Sequence, residues 1–226
     1  MRGLVRVGAA VPSLALGNVK ENMKRHLAMM REAKEKHVSI VTFPELSLTG
    51  YTCGDLFFQR RLLDDVTDAL LTLKDEMPEG ILAVVGAPLE IEGALYNCAV
   101  VLHKGEIISA VPKTFLPNNG EFYEKRWFQS GDARRDASVA IPKLKTDVCR
   151  QAIFETEDGV RFGIELCEDL WAPLPPSTML SVEGAEIILN LSASNELLSK
   201  REYRQQLISQ QSARCQCGYV YVSAGM

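Results

Sequence analysis

Arg161-Phe-Gly-Ile-Glu-Leu-Cys-Glu-Asp-Leu-Trp171 is the stretch from which both the fold and the chemistry can be read. Residues 160–166 are rich in β-forming side chains and run straight into one cysteine, Cys167, with two acids, Glu168 and Asp169, behind it. A strand that ends on a thiol just before a turn presents the thiol at a sheet edge. The following backbone N–H groups then point at whatever the sulfur attacks. Two other strand-like runs end in the complementary groups, each behind a proline: Val41-Thr-Phe-Pro-Glu45 and Ser109-Ala-Val-Pro-Lys113. Convergence of the three ends would put a thiol, a carboxylate and an ammonium in one pocket.

Outward from these ends, apolar periodicity lays out alternating helices and strands. Asn18, with Glu21 three residues on, forms a capping-box pattern that predicts an amphipathic helix to about residue 36. The continuous apolar run over 38–43 reads as a strand covered on both faces. A helix is expected over 58–76, stopped by Pro78-Glu-Gly80, and a strand over 81–87. Strands over 95–102 and 106–111 make a hairpin across His103-Lys-Gly105, and 152–155 with 160–166 make another. Residues 114–135 form a long aromatic and charged loop, a kind that usually carries function. A short helix over 179–183 with Ser177 as its cap, a buried strand over 185–191, a polar helix over 200–216 and a central strand over 219–223 complete the pattern. This mixture predicts a single domain over 1–226 of the α/β class, two sheets with helices outside.

Bulk composition excludes several classes. The chain has 226 residues, 46% hydrophobic and 24% charged, which suits one globular core. A net charge of −4 gives no reason to expect nucleic acid or an anionic membrane as partner. No apolar run approaches the roughly 20 residues of a membrane span. The opening Met1-Arg-Gly leads into strand-like sequence without a signal peptide, so a cytoplasmic protein with six reduced cysteines is expected. Cys215 and Cys217 lack the second ligand pair of a zinc site and read as packing residues; no metal is expected.

Cys167 alone is weak evidence, because a lone cysteine is more often inert packing. Its acidic strand-end context argues otherwise. The three histidines, His26, His37 and His103, lie on or at the end of a surface helix and in a hairpin turn, so none is a natural base for it. Glu45, behind a fully apolar strand, is the better base, since burial raises a carboxyl pKa toward the range a general base needs. Lys113 has the same context. Its ammonium would favour the thiolate and could hold a developing oxyanion.

Phe43-Pro-Glu-Leu46, Pro112-Lys-Thr-Phe-Leu-Pro117 and Glu165-Leu-Cys-Glu-Asp-Leu-Trp171 resemble the three signature segments of the nitrilase, or carbon–nitrogen hydrolase, superfamily. Leu48-Thr-Gly-Tyr-Thr-Cys-Gly-Asp-Leu-Phe57, Gly120-Glu-Phe-Tyr-Glu-Lys-Arg-Trp-Phe128, Asn190-Leu-Ser-Ala-Ser194 and Ser212-Ala-Arg-Cys215 narrow it to the glutaminase domains of glutamine-dependent NAD+ synthetases. The resemblance implies a four-layer α-β-β-α sandwich. It implies catalysis by Cys167 as nucleophile, Glu45 as base, Lys113 with the Glu168 N–H as oxyanion donors, and Glu121 as a second, orienting glutamate. It also implies that L-glutamine is held by Tyr51, Glu168, Ser194 and a basic residue at Lys200, and that a thioester forms as ammonia leaves. Asn118-Asn119 stands where relatives often place an aromatic.

The Ser-Gly-Gly-x-Asp-Ser phosphate loop of the synthetase domain does not occur in the sequence, and no other phosphate-binding loop does either. ATP and Mg would therefore belong to a synthetase domain normally fused C-terminally, and the chain itself is expected to need no cofactor. The competing readings are a stand-alone amidase acting on another small amide and a non-catalytic assembly domain. Only Ala224-Gly-Met226 follows the last strand, which predicts a C-terminally truncated sandwich that self-associates as a homo-oligomer through its open strand.

Overall fold

The structure, a computed structural model, describes residues 4–133 and 138–225. Met1–Gly3, the end of the loop expected over 114–135, and Met226 lie outside the described residues.

Among the described residues the strands form two sheets that pack face to face, with helices on the outside of each. The first sheet runs β1 (Val7–Ala9), β2 (Ile40–Thr42), β3 (Leu82–Ile91), β4 (Ala94–His103), β5 (Glu106–Pro112), β7 (Thr146–Cys149) and β6 (Ser138–Ile141), in that spatial order. The second runs β11 (Gly218–Ser223), β10 (Ile187–Ser192), β9 (Arg161–Leu166) and β8 (Ile153–Glu155). Residues with period 2 on the facing strands make the central layer: Val84, Ala99, Val101 and Val111 from the first sheet meet Phe162, Ile164, Leu166, Leu189 and Leu191 from the second. Helices α1 (Val19–Glu35) and α2 (Arg60–Glu76) bury Leu27, Met30, Val66, Leu70 and Leu73 against the outer face of the first sheet. Helices α4 (Pro176–Val182) and α5 (Lys200–Cys215) cover the second. This is the expected α-β-β-α order of layers.

Several local expectations change. The loop over 114–135 contains a helical turn, α3 (Glu124–Trp127), and the hairpin β6–β7 follows it, hidden in the sequence by Pro142 and the lysines at its turn. Ser177 does not cap α4; a proline starts that helix, and Ser177 is buried with its N–H on Glu165. β11, by contrast, keeps the open position expected for it: among the described residues it is an edge strand, paired to β10. His26 is fully buried in α1 rather than on a surface. Its ring lies 4.3 Å from that of Phe43, and its nitrogens meet the Asn22 carbonyl at 2.7 Å and Ser47 Oγ at 2.9 Å. Burial pushes its pKa down to about 4, so it stays neutral. Beside it Asn22 bonds the Leu48 carbonyl at 3.0 Å. Helix α1 thereby fastens the loop that follows β2.

That loop also lies on β3, at the one point where β3 has no side chain. A Cβ at Gly86 would sit 2.3 Å from the Pro44 carbonyl oxygen and 2.4 Å from the Leu46 nitrogen. Neither backbone atom can yield. Gly86→Ala should therefore cost at least about 3 kcal/mol of stability or prevent folding, the severe end of overpacking. Gly218→Ala, whose Cβ would meet nothing closer than 3.7 Å, serves as the near-neutral control. Equal urea midpoints for the two variants would show that the loop is not pinned at Gly86.

Candidate active site

Three strand ends do converge. β2 runs through Phe43 into Pro44-Glu45, with Leu46 in the left-handed region (φ 50°) turning the chain back. β5 ends at Pro112 and delivers Lys113, whose backbone N–H bonds the Asn97 carbonyl of β4 at 2.8 Å. β9 ends at Leu166 and delivers Cys167 at φ 43°, opening a 3-10 turn over Cys167–Trp171. All three side chains are buried.

Lys113 is the hub. Its Nζ donates to Glu45 Oε1 at 2.6 Å and to Glu124 Oε1 at 2.5 Å, with both carboxylates out of water. Burial opposes the ammonium, but Glu45, Glu124 and Cys167 outweigh it, and the pKa stands well above that of an ordinary lysine. The Lys113 charge is permanent. Asn97 Nδ2 adds a bond to Glu45 Oε1 at 2.7 Å and reaches Glu124 Oε2 at 3.4 Å. Glu45 Oε1 is thus committed twice, while its buried Oε2 accepts no hydrogen bond from the protein and is the oxygen able to take a proton. Burial raises the Glu45 pKa against the pull of Lys113, as a general base requires.

Lys113 favours the Cys167 thiolate, in the direction expected, but other groups outweigh it. Burial first, and then the Glu45 charge, push the thiol up to about 12, beyond what Lys113 and a backbone bond from Ala193 recover. The resting residue is a thiol that must hand its proton to a base.

Glu121 is a second correction. It is exposed at the rim, where its carboxylate accepts from Asn195 Nδ2, and it does not reach Lys113. The glutamate that does is Glu124, three residues on. The turn of α3 points it inward on the side of Trp127 and Phe128, and its N–H is held by the Pro117 carbonyl at 3.2 Å. The signal was present: Glu124 precedes that aromatic pair by three and four residues, one helical face. Exposed Asp55 fixes α3 from outside, taking Arg126 Nε and Nη2 at 2.7 and 2.8 Å and Trp127 Nε1 at 3.0 Å.

The expected substrate contacts divide. Glu168, Ser194 and Lys200 line a cavity of about 190 Å³ together with Cys167, Pro117, Asn119, Phe122 and Trp171. Lys200 Nζ lies 5.2 Å from the Trp171 ring and 5.8 Å from Phe122, and it donates to Asn195 Oδ1. Tyr51 is engaged otherwise. Its hydroxyl donates to Glu124 Oε1 at 2.6 Å, so it braces the acid cluster.

Asp169, which the sequence reading passed over, ties the nucleophile's turn to the Lys113 loop. It accepts the N–H groups of Leu166 at 2.9 Å, Thr114 at 3.1 Å and Phe115 at 2.7 Å. Burial pushes its pKa up to about 8 in spite of these donors. Among the described residues no cluster of His, Cys, Asp and Glu has the make-up of a metal site, and no helix is long and apolar enough to cross a membrane.

A thiol that must be deprotonated, a buried acid with one free oxygen, and a fixed ammonium for developing negative charge are the parts of a cysteine hydrolase that opens C–N bonds. The comparisons agree. The carbon-nitrogen hydrolase profile matches residues 6–225. The glutamine-dependent NAD(+) synthetase of Mycobacterium tuberculosis is 38% identical over 226 residues, 99% of this chain and 33% of its own length. That of Cytophaga hutchinsonii superposes with a TM-score of 0.85 at 29% identity, covering 97% of this chain and 36% of that one. An amidase of the nitrilase superfamily from Nesterenkonia shares the fold, with a TM-score of 0.78 at 16% identity over 97% of this chain and 76% of its own. The chain belongs to the carbon–nitrogen hydrolase family. It spans about a third of the length of the synthetases it matches.

Two outcomes follow from the buried charges. Lys113→Met leaves two carboxylates facing each other, and loss of one partner from a buried pair costs about 3–5 kcal/mol. The folded-state pKa of Glu45, already raised by burial, then rises further, so the folded chain binds more protons than the unfolded one. Stability should therefore fall as pH rises above the unfolded carboxylate pKa near 4.3 and recover on acidification. Urea unfolding at two pH values measures this, and a pH-independent loss would contradict it. For Cys167, a pKa of about 12 leaves roughly one thiolate in 10⁴ at pH 8. The ultraviolet difference spectrum of the native chain against Cys167→Ser should show no thiolate step between about pH 6 and 9; a step there would mean that Lys113 dominates after all.

Proposed function

We propose that this chain is a glutamine amidohydrolase module, releasing ammonia from L-glutamine through a thioester on Cys167 for amidation of an NAD+ precursor by a synthetase domain. The observation that carries the reading is the pairing of the Glu45–Lys113–Glu124–Cys167 cluster with a small cavity bearing both an acid and a base, Glu168 and Lys200. Its volume of about 190 Å³ is below the roughly 300–1,000 Å³ of sites for drug-sized ligands and suits a small amide. In this reading Glu168 pairs with the α-ammonium of an amino acid, and Lys200 with its α-carboxylate. The likeness to glutamine-dependent synthetases supports the choice of glutamine over other amides.

The chemistry follows from the protonation states. Glu45 Oε2 takes the thiol proton as Sγ attacks the side-chain amide carbon. Lys113 Nζ and the Glu168 N–H receive the carbonyl oxygen as it becomes negative. Protonated Glu45 returns the proton to the departing nitrogen, and ammonia leaves. Glu45 then activates water against the thioester, and glutamate is released. Glu124, fixed by Tyr51, keeps Lys113 charged and oriented throughout. ATP and Mg would act in the synthetase domain, and the chain works beside that domain in a homo-oligomer.

The test is ammonia release across a panel of amides. Cys167→Ala should abolish release from glutamine, and Glu45→Gln should lower it by at least about 10²-fold, the scale of a lost general base. Lys200→Ala should raise KM for glutamine while leaving a simple amide without a carboxylate little changed. Preference for a simple amide over glutamine in the native chain would favour the stand-alone amidase instead. No release from any amide, with Cys167 unreactive, would favour the assembly domain.

A further inference from the structure

Beneath Cys167, on the outer face of the second sheet, lies a buried polar chain that the proposed reaction does not use. Asn190 is at its centre, in the middle of β10 and wholly buried. Its Oδ1 accepts the Cys167 N–H at 3.2 Å and the Ser192 hydroxyl at 2.7 Å. Its Nδ2 donates to the Tyr219 hydroxyl at 3.0 Å and reaches Glu165 Oε1 at 3.4 Å. Both acceptor and both donor capacities of the amide are filled. Tyr219 in turn donates to Glu165 Oε1, and Glu165 Oε2 accepts the Ser177 N–H at 2.8 Å. Glu165 meets only donors, which work against the burial that raises its pKa.

This environment leaves the Asn190 amide a single orientation. Turned over, it would set NH₂ against the Cys167 N–H and its oxygen against the Glu165 carboxylate. The fixed Oδ1 occupies the N–H of a residue held at φ 43°, a left-handed conformation that an L-residue adopts only where its surroundings impose it. The same Oδ1 also binds Ser192, whose carbonyl accepts the Glu45 N–H at 3.3 Å. One amide oxygen thus stands between the backbone of the nucleophile and that of the base.

We infer that Asn190, oriented by Tyr219 and Glu165, is a positioning residue that sets Cys167 relative to Glu45. The inference rests on the reading of Cys167 as the nucleophile. Asn190→Leu removes the acceptor. Asn190→Asp keeps it but puts a second carboxyl beside Glu165, and protonation of one of the two restores a donor in place of Nδ2. Tyr219→Phe loosens the amide and serves as the test if Asn190→Leu does not fold. Two readouts are used on each folded variant: kcat and KM for glutamine across pH, and the rate at which chloroacetamide alkylates Cys167.

The expected results are a fall of at least about tenfold in kcat for Asn190→Leu with KM within about twofold, and a smaller fall for Tyr219→Phe. For Asn190→Asp, activity relative to the native chain should rise as pH is lowered from about 8 to about 6. Alkylation should fall in parallel with kcat. Native kcat in folded Asn190→Leu or Tyr219→Phe, or an Asn190→Asp pH profile parallel to the native one, would overturn the inference. If the native chain releases no ammonia from glutamine while Cys167 alkylation still depends on Asn190, the proposed substrate is wrong and the positioning role stands.

Discussion

Lys113 carries its charge where no water reaches it, between Glu45 and Glu124, and the rest of the site is arranged around keeping it there. An ammonium taken out of water costs several kcal/mol unless nearby charges and hydrogen bonds replace its solvation. Two carboxylates do so here, and each needs the lysine as much as it needs them. The cluster therefore holds two negative groups and one positive group beside a neutral thiol. When the thiol proton moves to Glu45, the number of buried charges does not change; one negative charge is relocated, from a carboxylate to a sulfur that also faces the same ammonium. Such a transfer avoids the cost of creating a charge in a dry interior. That is how a thiol with so high a resting pKa can still serve as a nucleophile.

The groups come from both sheets. Glu45, Asn97 and Lys113 end or line strands of the first, while Cys167 and Asn190 belong to the second. Hydrogen bonds join the two at the site: the Asp169 side chain takes the N–H groups of Thr114 and Phe115, and the Glu45 N–H reaches the Ser192 backbone carbonyl. Gly86 has the role in the first sheet that Asn190 has in the second. One permits a close approach by lacking a side chain; the other enforces it by filling every bond its side chain can make.

Much of this was legible in the sequence. The layers follow from apolar runs and caps; Glu45 and Lys113 stand out as charged groups closing apolar strands, and Cys167 as a thiol at an acidic strand end. What could not be read depends on partners far along the chain. Glu121 and Glu124 are alike in composition and neighbourhood, and only the turn of α3 decides which one faces Lys113. Asn97 and Asn190 sit within apolar strands, where a buried amide signals a partner, but the partners lie 52 and 23 residues away. His26 reads as a surface residue because its neighbours in α1 are charged, and its burial follows from the loop that α1 packs on. The resemblance implies a substrate contact at Tyr51, and nothing local corrects it, because its acceptor, Glu124, is 73 residues distant.

The position of β11 bears on synthesis of the chain. Tyr219, which orients the amide under Cys167, lies in β11 and leaves the ribosome after Glu45, Lys113 and Cys167. A nascent chain that has already exposed Cys167 still lacks the strand that backs it. Emergence order thus leaves Cys167 without its backing until β11 has paired with β10.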